Sequence, residues 1–412
     1  MSAVFKFDDE GDLSALNIQD PIDDLECIPE SAYSSDTDTV EPTPIPTDER
    51  LYEVELTLDF VSSSVKDTSK GRRKVTKSDF EVLKLLGRGA YGKVMLCRHK
   101  ETQRLYAMKV LKKASLLVHA KNAEHTKAER QILEDVRHPF IVQLMYAFQT
   151  NDRLYLILEY ATGGELFTHM ATENMFLEDV ARFYLAELVL ALEHLHGLGI
   201  VYRDLKPENV LLDGEGHVLL TDFGLSKVSL DGRTNTICGT AEYMAPEILL
   251  EMHYDNGVDW WTFGILMFEM LTGTTPFHSS NKKKTLDAIK NKKLLIPYYI
   301  SSIAKDLLIK LLRKNPNVRL GNGENGIQQI KSHHFFRKID WKKLKERKVT
   351  PPILPVVTDP MLAENFDEKF TSEVIKDSPA GTPCSVDAKM KDYFLNFSYV
   401  AHSHVLANAF SE

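Results

Sequence analysis

The run Tyr202-Arg203-Asp204-Leu205-Lys206-Pro207-Glu208-Asn209, followed thirteen residues after Asn209 by Asp222-Phe223-Gly224, sets an acid, a cation, an amide and a second acid in a fixed order. Moving a phosphoryl group onto a hydroxyl needs those types. A carboxylate accepts the hydroxyl proton, a cation faces the transferring oxygens, and oxygen ligands hold magnesium, a hard ion. Asp204 is the candidate base, Lys206 the cation, and Asn209 with Asp222 the magnesium ligands. A surface loop that is merely rich in charge would impose no such order.

Upstream, Gly87, Gly89 and Gly92 form a G-x-G-x-x-G set within Leu86-Gly87-Arg88-Gly89-Ala90-Tyr91-Gly92-Lys93-Val94. Taken alone, the triplet fits an ordinary turn. In a dinucleotide fold it opens a helix, whereas Lys93 to Cys97 reads as a strand. The better reading is a hairpin lid over phosphates, with glycines letting backbone N–H groups approach the anion and Val94 placed to pack on a flat base. Lys109, in Tyr106-Ala107-Met108-Lys109, sits in an apolar strand. The usual fate of a lysine is the surface, but at this spacing its ammonium would neutralise α- and β-phosphate charge, held by a carboxylate on the following helix. Glu129 is the candidate partner, and the same helix also offers Glu124 and Glu134.

Between Asp222 and Ala245-Pro246-Glu247 lies a polar loop, Ser229 to Thr240, in which Thr236 precedes Ile237-Cys238-Gly239-Thr240. A phosphate there adds about −2 charge and would pair with Arg203, Lys227 and His125, ordering the loop. Glu247 can be buried only if paired, and Arg319 is its candidate partner, a structural pair.

Elements must carry these groups. Apolar runs Phe80 to Leu86, Gly92 to Arg98 and Arg104 to Leu111 predict an antiparallel meander. A helix follows over Ala120 to Val136, then strands over Ile141 to Gln149 and Leu154 to Tyr160. From Glu165 to Phe336 the apolar spacing is helical, as in Val180, Tyr184, Leu188, Ala191 and Leu195, broken by short strands at Val210 to Leu212 and Val218 to Thr221. The expectation is an α+β fold of two lobes. Residues 1–75 form an acidic, Ser/Thr/Pro-rich and mostly disordered arm, in which Val54, Leu56, Leu58 and Phe60 alternate as in a short strand. The N-lobe spans 80–158, the C-lobe 159–336, and 337–412 form an extended tail.

The net charge of −9 is set by the arm, where the first fifty residues hold fourteen Asp/Glu against Lys6 and Arg50, leaving the remainder at about +3. No Lys/Arg stripe interleaves with aromatics, which argues against nucleic acid as a partner. Four scattered cysteines make neither a disulfide framework nor a zinc site and point to a reducing compartment. The most apolar stretch, Phe183 to Tyr202, is interrupted by Glu187, Glu193 and two histidines, so no membrane span is expected.

Together these strings resemble the eukaryotic protein kinases over Phe80 to Phe336. Lys206 resembles the serine/threonine pattern. Tyr202, in place of the commoner His, with Thr236 to Thr240 and Asp259-Trp260-Trp261, is similar to the AGC group, which includes protein kinases A, B and C. The ending Phe394-Leu395-Asn396-Phe397-Ser398-Tyr399 resembles the AGC hydrophobic motif with Ser398 as phosphoacceptor, and Ser378 in Asp377-Ser378-Pro379 resembles the turn motif. Two aromatics so spaced can fill an apolar groove on the small lobe and buttress the helix bearing Glu129. Within the group, the acidic N-terminus, His125 to Leu133 and the Phe-x-x-Phe-Ser-Tyr-Val ending resemble the ribosomal protein S-six kinases. Phe5-Lys6-Phe7-Asp8-Asp9 resembles their TOR-signalling motif, with Lys6 where an acid is usual. The resemblance implies ATP and Mg²⁺, with adenine held by the backbone of Glu159 and Ala161 and ribose near Glu165. Glu165, Glu208 and Glu269 would favour Arg upstream of the acceptor. It further implies a phosphoinositide-dependent kinase and a TOR complex as upstream activators, in the cytoplasm, with the nucleus as a second compartment. The alternatives are another AGC kinase, of a protein kinase B-like or ribosomal-kinase-like branch, or a pseudokinase scaffold.

Overall fold

The computed structural model describes residues 74–89, 92–117, 120–228, 240–373 and 394–401. The chain divides into two units, 1–71 and 72–412, and all described residues belong to the second. The segment Val54 to Phe60, the motif Phe5 to Asp9, and Ala90, Tyr91, Thr236 and Ser378 lie outside the described residues.

The small lobe is a sheet. Strands β1 (Phe80–Arg88), β2 (Gly92–His99) and β3 (Leu105–Lys112) form the expected meander, and β4 (Leu144–Gln149) and β5 (Arg153–Leu158) follow. All neighbours are antiparallel, in the order β1-β2-β3-β5-β4, closed on its far edge by β11 (Tyr399–Val400) from the tail. The period-two alternation of the strands sends residues to opposite faces. Tyr155 and Ile157 join an aromatic-rich cluster with Phe80, Tyr106, Tyr146 and Phe148, while Leu154, Leu156 and Leu158 enter the main core. Helix α1 (Lys113–Leu117) leads into α2 (Ala120–Asp135), which turns Ala123, Ile132 and Leu133 inward and carries Glu129 on the same side.

The run Ile141 to Gln149 is a strand only from Leu144. The backbone before it is taken by the other lobe: Val142 N–H donates to the Leu220 carbonyl and Leu220 N–H to the Phe140 carbonyl, at 3.0 and 2.9 Å. An apolar run satisfied from two lobes cannot follow one ladder.

The large lobe is built on α4 (Glu178–Gly197) and α6 (Gly257–Thr272), apolar on nearly every side and therefore central. Before the first come β6 (Gly164–Glu165) and α3 (Leu166–Glu173), and between the two come β7 (Ile200–Val201), β8 (Val210–Leu212), β9 (Val218–Leu220), β10 (Lys227–Val228) and α5 (Pro246–Leu249), with β6, β8 and β9 forming one small sheet and β7 and β10 another. Strands β6, β7 and β10 are too short, at two residues each, to leave a periodic signal. Further on come α7 (Lys282–Asn291), α8 (Ser302–Leu311), α9 (Gly326–Lys331) and α10 (Trp341–Lys345), and in the tail the single-turn α11 (Glu368–Thr371). The tail is thus less uniformly extended than its sequence implies. No helix among the described residues is long and apolar enough to cross a membrane.

Candidate active site

Strand β3 sets Lys109 opposite Val94 of β2 and Leu156 of β5. Its Nζ lies 2.6 Å from Glu129 Oε1 and 3.0 Å from Asp222 Oδ1. Of the acids offered by α2, Glu129 makes this pair, and Glu134 lies 2.6 Å from Arg130 instead. Burial alone would pull the ammonium down, but Asp222 and Glu129 more than reverse this and hold Lys109 above the usual lysine range. The same ammonium holds Asp222 below the usual carboxylate range against burial. Glu129 is pushed up by burial, with Lys109 opposing. The site is thus a fixed cation clasped by one acid from each lobe.

Facing it, Asp204 Oδ2 accepts from Lys206 Nζ at 2.8 Å and from Asn209 Nδ2 at 2.9 Å, and Asn209 Nδ2 also donates to the Asp204 carbonyl at 2.8 Å. Burial pushes Asp204 above the ordinary aspartate range, and Lys206 and Asn209 hold the rise in check. The loop is pinned by Asp259, fully buried on α6. Its carboxylate accepts from the N–H groups of Tyr202 and Arg203 at 2.9 and 2.7 Å and lies 2.8 Å from His196 Nε2. Arg203 and Asp222 both take left-handed backbone angles, φ 66° and 59°, which such a frame can enforce. Sequence reading treated Asp259 only as part of a group signature, and its role is invisible to local spacing.

The three glycines of the lid differ. A Cβ on Gly92 would stand 2.0 Å from the Val110 carbonyl, so this glycine serves the β2–β3 approach. A Cβ on Gly87 or Gly89 meets nothing within 4 Å, so both border open space. Leu86, Val94, Ala107 and Tyr160 pack together with Phe366 and Ala363 of the tail, an apolar lining that sequence reading did not extend to the tail. Glu159 N–H is spent on the Gln143 carbonyl at 2.9 Å, and no backbone hydrogen bond among the described residues uses the Glu159 carbonyl or the Ala161 N–H.

Glu208 lies near both Glu165 and Glu269, so the three acids gather at the mouth of the cleft beside Asp204. Burial raises Glu165, and the nearby Glu208 and Asp367 raise it further. Burial likewise raises Glu269, with Glu208 and Glu242 adding to the effect and the hydrogen bond from the Tyr243 hydroxyl opposing it. Asp367 and Glu242 are members that sequence reading missed. Glu247 and Arg319 form the buried bidentate pair, at 2.5 and 2.8 Å. Arg203 donates to the Leu225 carbonyl and the Tyr254 hydroxyl, at 2.7 and 3.1 Å.

At the opposite edge of the sheet, Phe394 and Phe397 are buried against the small lobe. Gln149 Nε2 donates to the Phe394 carbonyl at 2.7 Å, and Lys113 and Lys127 lie 5.6 and 5.8 Å from the Phe394 ring centroid. Arg130 reaches the Ser398 carbonyl at 3.4 Å, and Arg137 donates to the Tyr399 hydroxyl at 2.6 Å.

Comparison with known proteins agrees with this geometry. The model of the protein kinase domain matches residues 80–336. The chain belongs to the protein kinase family. A second model, the protein kinase C terminal domain, matches residues 357–399 of this kinase. Mouse "Ribosomal protein S6 kinase alpha-3" is 48% identical over 381 residues, covering 90% of the kinase and 51% of the mouse protein. The Caenorhabditis elegans "Ribosomal protein S6 kinase beta" is 49% identical over 335 residues, 80% of the kinase and 60% of that protein. The Xenopus laevis "Ribosomal protein S6 kinase 2 beta" is 51% identical over 336 residues, 80% and 53% respectively. The kinase therefore spans about half the length of the relatives it matches.

Proposed function

We propose that the protein transfers the γ-phosphoryl group of MgATP to Ser or Thr hydroxyls in proteins that carry Arg upstream of the acceptor. The carrying observation is the pairing of Lys109 with Glu129 and Asp222 opposite an Asp204 whose carboxylate is held by Lys206 and Asn209. Magnesium suits the donor set: with the Asn209 amide nitrogen spent on Asp204, its Oδ1 and the Asp222 carboxylate are two hard oxygen donors that would hold the ion. When bound, the ion neutralises charge on the phosphate oxygens.

The chain's own residues do the rest. Gly87 and Gly89 leave room for phosphates beneath the lid, and Lys109 moves its charge from Asp222 toward the phosphate oxygens while Glu129 keeps it in place. The Glu159 carbonyl and Ala161 N–H orient adenine, and Glu165 lies near the ribose. Asp204 takes the acceptor hydroxyl proton as the new O–P bond forms and the bond to the departing β-phosphate oxygen breaks, and Lys206 stabilises the transferring oxygens. The carboxylates of Glu165, Glu208 and Glu269 receive upstream guanidinium groups.

The same reading makes Thr236, Ser378 and Ser398 activating phosphosites, modified by a phosphoinositide-dependent kinase and a TOR complex, with the protein acting in nutrient and growth signalling in the cytoplasm. The test is γ-phosphate transfer to a Ser peptide with and without upstream Arg. Transfer that needs Mg²⁺, is lost in Asp204→Ala and falls when Arg is removed is the expected result. No transfer from protein phosphorylated at Thr236 and Ser398, across a varied peptide library, overturns it.

A further inference from the structure

Helix α7 buries Thr285, Ala288 and Ile289 and packs beside Ala241–Tyr243, the turn that adjoins the cleft. Its first turn is Lys282-Lys283-Lys284, exposed and without an acid. A helix N-terminus favours anions, so three cations there work against the dipole and against one another. Beyond its C-terminus, Lys292 and Lys293 continue the exposed charge. The single acid of the helix, Asp287, accepts from Asn291 Nδ2 at 2.7 Å. Lys290, Lys292 and Lys293 complement the C-terminal end of the helix dipole, whereas the three lysines of the first turn gain nothing for folding. Directly after it, Leu295 is 80% exposed and Tyr298 98% exposed, with the Tyr298 ring edge-on to Tyr299 at 5.8 Å. One exposed apolar side chain needs no explanation, but a group within five residues, bordered by lysines, marks a surface with a partner.

We propose that these exposed lysines and the adjoining Leu295–Tyr298 segment dock an acidic, leucine-bearing segment of the protein substrate while the acceptor occupies the cleft, an inference that rests on the transfer reaction proposed above. Charge complementarity argues for this occupant. Five exposed lysines meet an acidic segment, while the neighbouring cleft mouth carries Glu165, Glu208 and Glu269 and meets a basic one. A substrate basic at its acceptor and acidic elsewhere matches both surfaces and fixes its own register. A uniform polyanion, such as a nucleic acid or an anionic membrane, matches the helix and is repelled by the mouth. Leu295 and Tyr298 add apolar contact that a polyanion backbone does not use.

The test compares, on the full phosphorylated chain, a short Arg-containing Ser peptide with the same peptide joined by a flexible linker to a segment of six Asp/Glu and two Leu. The expected KM of the linked substrate is lower by about tenfold or more, because the second contact acts at high effective concentration. That advantage is expected to vanish in Lys292→Glu/Lys293→Glu, to shrink in Tyr298→Ala and to weaken as salt is raised, while kcat/KM for the short peptide stays unchanged. Equal KM values in the wild type, or an advantage that survives the double charge reversal, overturn the proposal. Fluorescence anisotropy of the acidic segment alone on the Asp204→Ala protein decides docking even if no transfer is seen, so failure of the reaction and failure of the docking surface are told apart. Lysine-dependent binding of phosphatidylserine vesicles or a single-stranded oligonucleotide, without binding of the acidic segment, also overturns it.

Discussion

Lys109 does nothing alone: its charge is useful because two carboxylates hold it in place, and one of them, Asp222, is also a candidate magnesium ligand. Lys109→Met leaves Glu129 buried without its cation, and kcat is expected to fall by about 10²–10³, the usual cost of removing one preorganised charge partner. Steady-state kinetics with ATP as the varied substrate check this. The acids at the mouth give a pH prediction. In the proposed substrate reading Glu165 and Glu269 receive Arg as carboxylates, and burial with like-charged neighbours raises both. A raised carboxyl takes up its proton at higher pH than an ordinary glutamate, so KM for an Arg-containing peptide rises on acidification before the usual glutamate range is reached. A peptide lacking Arg shows no such rise, and KM measured against pH for both peptides distinguishes the two. At this scale much was legible, because Asp204, Lys206, Asn209 and Asp222 follow one another in a single stretch whose order mirrors the chemistry. Asp259 was not, because the hydrogen bonds that give it a role run to a loop far back in the chain.

The lid shows how an element divides labour among identical residues. Gly92→Ala forces a Cβ onto the Val110 carbonyl, and overpacking of this kind costs about 1–3 kcal/mol. Its Tm is expected to drop, whereas Gly89→Ala, with open space at its Cβ, keeps Tm and raises KM for ATP by narrowing the room for phosphates. Thermal melts of the two variants beside their ATP kinetics check the division, which the motif's spelling cannot reveal. Strand and helix positions were readable where the whole run is satisfied within one sheet or one helix, as in β1 to β3 and α2. They were misread where two lobes share a segment, as at Ile141 to Gln143, and missed where a strand is only two residues long.

Across the whole molecule, the tail joins what the lobes separate. Phe366 closes the apolar lining beside Tyr160, Phe394 and Phe397 fill the groove over α2, and β11 adds an edge to the sheet at Ala147 and Tyr146. The aromatic spacing in the sequence disclosed the groove, but a two-residue strand recruited from the far end of the chain has no local signature. Phe394 is fully buried, with Gln149 fixing its carbonyl and two lysines near its ring. Burial lowers the pKa of both Lys113 and Lys127, so the groove holds cations at some cost in solvation. In Phe394→Ala the apolar anchor is gone while those costs remain, and truncation of a buried phenylalanine is worth about 3–5 kcal/mol, enough to release a short docked segment. Amide exchange is then expected to quicken along β4 and α2, and kcat to fall, because α2 carries Glu129 and with it the position of Lys109. Mass-spectrometric exchange and kinetics on the same samples separate the two links in that chain. Faster exchange with unchanged kcat means the tail docks without supporting Glu129, and unchanged exchange means that Phe394 does not hold the tail at all.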